Sequence, residues 1–323
     1  MKPAAILALT LPLLTMAAQQ APSGTEITFR SSSDLVLVNV IARNKNGLPD
    51  QTLKRDDFQL FDDDRPISIQ TFDTAAQSRP LALWFVVLCN MAGYEKQGSG
   101  LFQGRIHLLM PALKELGKQD TLGVAHWCDD GQSKLDLLPT RDVDQAATTL
   151  EQTLAPRPSP KNHDRPGELA LQETMRLIVD ATRSSQPEPL PVLVFLYDDW
   201  SGMPKHEADQ FISQLLETSA IAFGLKDRRS PGMWFPVPGE QKEIAHYIVA
   251  QTGGEYLPVT PATYATGLEE ILHQLHFRYE LGFKPETLDG QRHKLRVELT
   301  ASAKNQRQGV RLRYRAAYVP IAR

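Results

Sequence analysis

Two acidic pairs, Asp129-Asp130 and Asp198-Asp199, stand just after apolar runs, as do the two cysteines of the chain, Cys89 and Cys128. Paired carboxylates at strand ends are suited to acid–base hydrolysis when their separation and protonation are tuned by the fold. A third acidic group, Asp62-Asp63-Asp64, invites a calcium site, because hard cations favour clustered carboxylates. Consecutive residues on a tight loop cannot all face one ion, however, and Asp63-Asp64-Arg65-Pro66 has turn composition, so a solvated turn is predicted. Ser99 sits in Gly98-Ser99-Gly100, but Gln97 stands where a nucleophile elbow needs its first glycine. The glycine-rich loop 93–100 matches neither the Walker nor the dinucleotide spacing, which argues against a phosphate cradle. None of the eight histidines belongs to an HExxH pattern. His126, inside an expected strand, reads as a satisfied core histidine. His273 and His276 read as a solvated helix face, with half of a metal pair as the alternative.

The elements that must position these groups are organised around Leu81 to Asn90, LALWFVVLCN. The run scarcely alternates and is bounded by Arg79-Pro80 and Met91-Ala92-Gly93, which suits a strand buried on both faces of a parallel sheet. In open α/β sheets ligands bind beyond the carboxyl ends of central strands, so the residues after Leu88 lie on the expected functional edge. With 323 residues, 41% of them hydrophobic, the chain can bury a full core. Its net charge of -3 suggests neither nucleic acid nor an anionic membrane as a partner. Lys2, the apolar run from Ala4 to Leu14, and Thr15-Met16-Ala17-Ala18 read as a secretory signal peptide over 1–18, followed by a flexible leader over 19–33. No cysteine follows the run to take a lipid, and no later segment reaches the about 18 apolar residues of a membrane span.

Alternating strands are expected at 35–42, around Phe58 and Leu60, and over 67–72. After the organising strand come a helix over 101–116, a strand over 120–128 with an antiparallel partner at 133–138, and a helix over 142–154 capped by Asp142. The regions 167–182, 205–218, 240–252 and 263–277 read as helices, and 192–197, 220–225 and 255–258 as strands. This alternation predicts a doubly wound, mostly parallel sheet over 80–277. One-faced strands return at 279–285, 293–299 and 310–315. With the segment 34–76, the tail 279–320 is expected to build a β-sandwich into which the α/β unit is inserted.

The segment LVLVNVIARNKNGLPDQTLKRDDFQLFDDDRPISIQTF, followed by a buried strand and alternating helices and strands, resembles the von Willebrand factor type A related proteins of acidobacteria. That family typically carries a metal-ion-dependent adhesion site: Asp-x-Ser-x-Ser after the first strand, a Thr before a later helix and an Asp after the fourth strand. Carried over, the first Asp position falls at Cys89 or, one residue on, at Asn90. The serine positions fall at Met91 and Gly93, or at Ala92 and Tyr94; the Thr position lies near Gly167-Glu168, and the last Asp matches Asp198. Thiol, thioether and glycine offer a hard cation no oxygen, so the resemblance implies a site without its usual metal and no cofactor. The alternative is a divalent cation held by substituted ligands, Glu168 and Asp198 with Asp199 and Asp129 or Asp130.

The family's strand order also makes the strands ending at Cys89 and Cys128 neighbours. Adjacent strands lie about 4.8 Å apart and disulfide Cα atoms about 4.4–6.8 Å apart, so a bridge is feasible, and export favours it over two free thiols. The expected function is that of a secreted or periplasmic, non-catalytic binding or adhesion protein with a protein or cell-surface partner, self-association included. Its recognition edge would present Asn90, Tyr94, Ser99, Asp129, Asp130, Glu168, Asp198, Asp199 and Trp200, with Trp200, Trp234 and Tyr94 as aromatic anchors. A metal-dependent adhesion module is the alternative, and a hydrolase using the acidic pairs ranks behind both.

Overall fold

The computed structural model describes residues 35–74, 79–89, 98–128, 130–158, 167–184, 188–196, 203–204, 209, 212–213, 215–229, 240–241 and 244–321. The expected signal peptide and leader lie outside the described residues. In chain order, β1 (Val36–Arg43), β2 (Phe58–Asp62), β3 (Arg65–Ile67) and β4 (Thr71–Asp73) precede β5 (Leu81–Leu88). Next come β6 (Thr121–Trp127), β7 (Ser133–Thr140), α1 (Val143–Thr153), α2 (Gly167–Arg183), β8 (Leu190–Phe195), β9 (Met203–Pro204) and β10 (Ile221–Asp227). The chain continues through β11 (Glu240–Gln241), α3 (Ile244–Thr252), β12 (Tyr256–Val259) and α4 (Tyr264–His276). It closes with β13 (Tyr279–Phe283), β14 (His293–Leu299), α5 (Ala301–Gln306), β15 (Arg311–Arg313) and β16 (Ala317–Tyr318).

The central sheet has the order β12-β10-β8-β5-β6-β7 and is parallel except for β7, which runs antiparallel to β6. Successive residues of β5 enter different cores. Leu83, Phe85 and Val87 pack with Ile106, Leu109 and helices α1 and α4, whereas Ala82, Trp84 and Val86 pack with Leu171, Met175 and Ile178 of α2. Burial on both faces is the physical reason for the unalternating apolar run. Gly123 of β6 lies beside the Trp84 ring, where a Cβ would collide with it.

Local signals were met at α1, where the Asp142 side chain accepts from Gln145 N at 2.9 Å as an N-cap. The expected helix over 101–116 is instead a succession of 3-10 turns at Gly98–Phe102, Ile106–Leu108 and Met110–Glu115. Gly104 adopts a positive φ of 67°, Pro111 lacks an amide proton, and the i, i+3 spacing of Ile106, Leu109 and Ala112 fits three residues per turn. The helix expected from 240 begins at Ile244, since Glu240 and Gln241 pair with Pro204 and Met203. Of the helix expected over 205–218, positions 209, 212–213 and 215–218 are described; all are helical except Glu217 and Thr218, which form a turn and a bend.

Two antiparallel sheets, β15-β1-β13-β4 and β16-β14-β2-β3, face each other across one core. Val38, Val40, Leu281 and Phe283 come from the first and Phe58, Leu60, Val297 and Leu299 from the second. The strand expected over 67–72 is divided between them. β3 ends at Ile67 in one sheet and β4 begins at Thr71 in the other, with the Arg55 guanidinium donating to the Ile69 carbonyl at the crossing. At the expected acidic turn, Asp63 and Asp64 take φ of 44° and 66°, the two-residue hairpin geometry that Asp tolerates. Asp62, however, is buried, because its side chain lies under Tyr318.

A buried arginine marks the return of the chain to the sandwich. Arg278 is 1% exposed and donates to Asn39 Oδ1 at 3.1 Å, Leu275 O at 2.7 Å and Arg79 O at 2.7 Å. Arg79, where the chain leaves the sandwich, pairs with buried Glu280 at 2.7 Å. Burial pushes Arg278 down to about 10, so it remains charged at neutral pH.

Candidate functional site

The carboxyl edge of the central sheet is built where β5, β6 and β8 end together. Leu88 pairs with Trp127, and Cys89 N extends the ladder by donating to Trp127 O at 2.8 Å. Cys89 and Cys128 therefore fall side by side, with Cα atoms 4.9 Å apart, and form a disulfide. Closing the 39-residue separation removes unfolded-chain entropy worth about 4 kcal/mol on the loop-closure account.

A partly buried polar chain leads to that disulfide. Asp136 Oδ2 lies 2.5 Å from His126 Nδ1, and Arg157 Nη1 lies 2.8 Å from His126 Nε2. A guanidinium only donates, so Nε2 accepts and the imidazole proton sits on Nδ1, facing the carboxylate. Arg157 Nη1 also approaches Cys89 Sγ at 3.3 Å and Cys128 Sγ at 3.8 Å. Burial alone would raise the Asp136 pKa, but hydrogen bonds from His126 and from Thr153 Oγ1, at 3.1 Å, together with nearby Lys134, hold it below the usual carboxylate range. Thr174 of α2 donates to His126 O at 3.1 Å, fixing the end of β6 from the helix side.

Asp136 owes its position to an irregularity. Val124 pairs with Leu137 whereas Ala125 pairs with Leu135, so Asp136 is the extra residue of a β-bulge. Bulges re-aim side chains, and strand alternation gives no notice of them. Arg157 is likewise invisible to pattern reading, since it lies in a proline-rich connection, Ala155-Pro156-Arg157-Pro158, with no periodicity. The core-histidine reading of His126 agrees with its 3% exposure.

Other expected edge residues have different situations. Ser99 is buried, accepting from Leu88 N at 3.2 Å and donating to Leu196 O at 2.6 Å, so it ties β5 to β8 and displays no hydroxyl to a partner. Its placement corrects the expectation of an exposed binding serine; the reason is that the ends of β5 and β8 each leave a backbone group to satisfy. Asp130 is half-buried and accepts from Gln132 N at 3.1 Å and Gln132 Nε2 at 2.9 Å, closing the β6–β7 turn. Glu168 lies in the first turn of α2, with its side chain outside the described set. Asn90, Tyr94, Asp129, Asp198, Asp199, Trp200 and Trp234 lie outside the described residues.

Among the described residues, the donors at this edge do not fit a hard divalent ion. Among the described residues, the one close group there is Cys89, His126 and Cys128. Its sulfurs are bonded to each other and its imidazole lone pair faces a guanidinium, so it offers no oxygen and places a like charge beside any cation.

No family model matches this chain, and no curated protein matches it. Solved structures similar to it include a von Willebrand factor type A protein from Catenulispora acidiphila, at 10% identity and a TM-score of 0.43, covering 89% of this chain and 74% of that one. An aerotolerance-related membrane protein from Bacteroides fragilis is similar at 12% identity and a TM-score of 0.39, over 60% of this chain and 99% of that one. The von Willebrand factor domain of a type V pili tip protein from Porphyromonas gingivalis is similar at 8% identity and 0.38, over 61% and 95%.

Proposed function

We propose that this chain is an exported, non-catalytic binding protein that recognises a protein or cell-surface partner through the carboxyl edge of its central sheet. In this reading the edge is shaped by a covalent clasp and a partly buried polar chain instead of a metal ion. The observation that carries the reading is the Cys89–Cys128 disulfide with Arg157 against it, at the position where the resemblance would put the first metal ligand. A disulfide also favours an oxidising compartment, in keeping with the expected signal peptide.

The committed state of the reactive groups supports binding over catalysis. Both ring nitrogens of His126 are occupied, and the Ser99 hydroxyl donates to a carbonyl with no imidazole beside it among the described residues. General-base catalysis needs a base within reach of the proton it removes, and nucleophilic catalysis needs a hydroxyl or thiol next to such a base. Recognition then falls to the segments that follow β5, β6 and β8 in the sequence, where Asn90, Tyr94, Asp129, Asp198, Asp199 and Trp200 would supply polar and aromatic contacts.

Thermal unfolding of the oxidised mature protein in EDTA, Mg²⁺, Mn²⁺ and Ca²⁺, with thiols counted under denaturing conditions, tests this reading. We expect no free thiol and no midpoint shift traceable to the edge. An ion present at 100 times its dissociation constant would add about 2.7 kcal/mol to a native state that binds it. A Mg²⁺ or Mn²⁺ shift that disappears in Asp198→Ala would overturn the metal-free edge and establish metal-dependent adhesion with substituted ligands.

A further inference from the structure

We propose that Asp62, Asp63 and His293 form a divalent-metal site of the zinc class, on the sandwich and separate from the sheet edge. The backbone brings the three together. Asp62 ends β2, Asp63 begins the hairpin turn, and His293 opens β14, whose Leu295 pairs with Asp62. Asp63 N donates to Lys294 O at 3.0 Å, which holds the turn against the start of β14.

Each ligand is anchored by one atom and leaves another directed at a common point. Asp62 Oδ2 accepts from Tyr318 OH at 2.8 Å, and Asp63 Oδ1 accepts from Lys294 N at 2.9 Å. His293 Nε2 faces the Asp289 carboxylate at 3.3 and 3.4 Å, and Asp289 is itself held by Gln291 N at 2.9 Å and Thr287 Oγ1 at 3.1 Å. A carboxylate behind the imidazole is the usual outer shell of a metal-binding histidine: it takes the N–H and leaves the other nitrogen with its lone pair.

That other nitrogen, Nδ1, lies 3.3 Å from Asp62 Oδ1 and 3.0 Å from Asp63 Oδ2. Asp62 is only 7% exposed, yet its Oδ1 and His293 Nδ1 are both shielded from solvent and lack a hydrogen-bond partner. Two carboxylate oxygens converging on Nδ1 call for positive charge between them, which a proton on Nδ1 supplies in the metal-free protein and a bound metal ion would supply in its place. Ligands about 2.0–2.2 Å from a tetrahedral zinc lie roughly 3.3–3.6 Å from one another, close to the separations here. Two carboxylates and a neutral imidazole also balance a doubly charged ion.

The donor set selects among ions. Calcium and magnesium want six or more oxygens, whereas one imidazole and two carboxylates suit zinc with water as a fourth ligand. Asp63, with its side chain 54% exposed, leaves a side open for that water and for entry. The Tyr318 ring, 5.3 Å from the imidazole, covers another. Asp64 takes no part, because it pairs with Lys294 and Arg296, each at 3.3 Å.

The test is zinc binding to tag-free, EDTA-stripped, oxidised full-length mature protein, read by titration calorimetry and by unfolding midpoint, with cobalt absorption reporting geometry. One zinc per chain, a raised midpoint and a tetrahedral cobalt spectrum are expected. His293→Ala should abolish all three. Asp63→Asn keeps an acceptor for Lys294 N on an exposed turn and so preserves the fold, and it should weaken zinc binding at least tenfold. No zinc retained by the wild type, or equal zinc binding by the wild type and Asp63→Asn, would overturn the site. Mg²⁺ effects and Asp198→Ala leave this proposal untouched, so its failure and that of the edge reading are distinguishable.

Discussion

Asp120 shows what one buried carboxylate does at the start of the organising strand. Its Oδ1 accepts from Leu81 N at 2.7 Å, and its Oδ2 accepts from Gly117 N at 2.8 Å and faces His276 Nε2 at 2.8 Å. Burial works to raise its pKa, but the His276 hydrogen bond and the two amides outweigh it, and the net shift is downward. A carboxyl group depressed in the folded state stabilises the fold above its unfolded pKa of about 3.9, and that stability is lost as pH falls through the lower folded value. Asp120→Asn is therefore expected to unfold at lower urea than the wild type at pH 7, with the gap narrowing as the pH drops below about 4. A gap independent of pH across that range would show that charge is not the source. At this scale the sequence is a partial guide. It marks His126 as a core residue and Cys89 and Cys128 as neighbours once the strand order is supposed, but nothing in it singles out Arg157 or Asp136.

Elements were legible where burial imposes a period. β5 reads as a doubly buried strand because its alternate residues enter two different cores, and α2 shows its buried face through Leu171, Met175 and Ile178. The stretch 98–116 was not legible as to type, since i, i+3 spacing serves both an α-helix and successive 3-10 turns, and Gly104 with Pro111 decides between them. β5 and β6 also depend on a close fit that pattern alone does not reveal. Gly123→Ala would force the Trp84 ring from its place, where Nε1 donates to Thr182 Oγ1 at 3.1 Å, and a destabilisation of about 1–3 kcal/mol is expected from overpacking. Urea denaturation followed by tryptophan fluorescence reads it; an unchanged midpoint would mean that the sheet relaxes without strain.

Across the molecule, the described residues from 35 to 321 pack as one compact unit, and the chain passes between sandwich and α/β layers at Arg79 and Arg278. Arg278→Met would strand Asn39 Oδ1 and the Arg79 carbonyl, each buried acceptor costing about 1–3 kcal/mol, while Leu275 O keeps its backbone donor Arg278 N, so a loss of at least about 2 kcal/mol is expected. Unfolding that stays single-step with an unchanged midpoint would show that the crossing is held by apolar packing instead. By itself the sequence determined the class of each layer, because a strand covered on both faces must be apolar throughout and a strand covered on one face must alternate. It also determined the order of those layers along the chain. Only the tertiary structure decided which polar groups meet. The bulge that turns Asp136 toward His126, the loop that lays Arg157 on the disulfide and the register that sets His293 over Asp62 and Asp63 join residues distant in sequence. Such meetings follow from three-dimensional register, which no local period encodes.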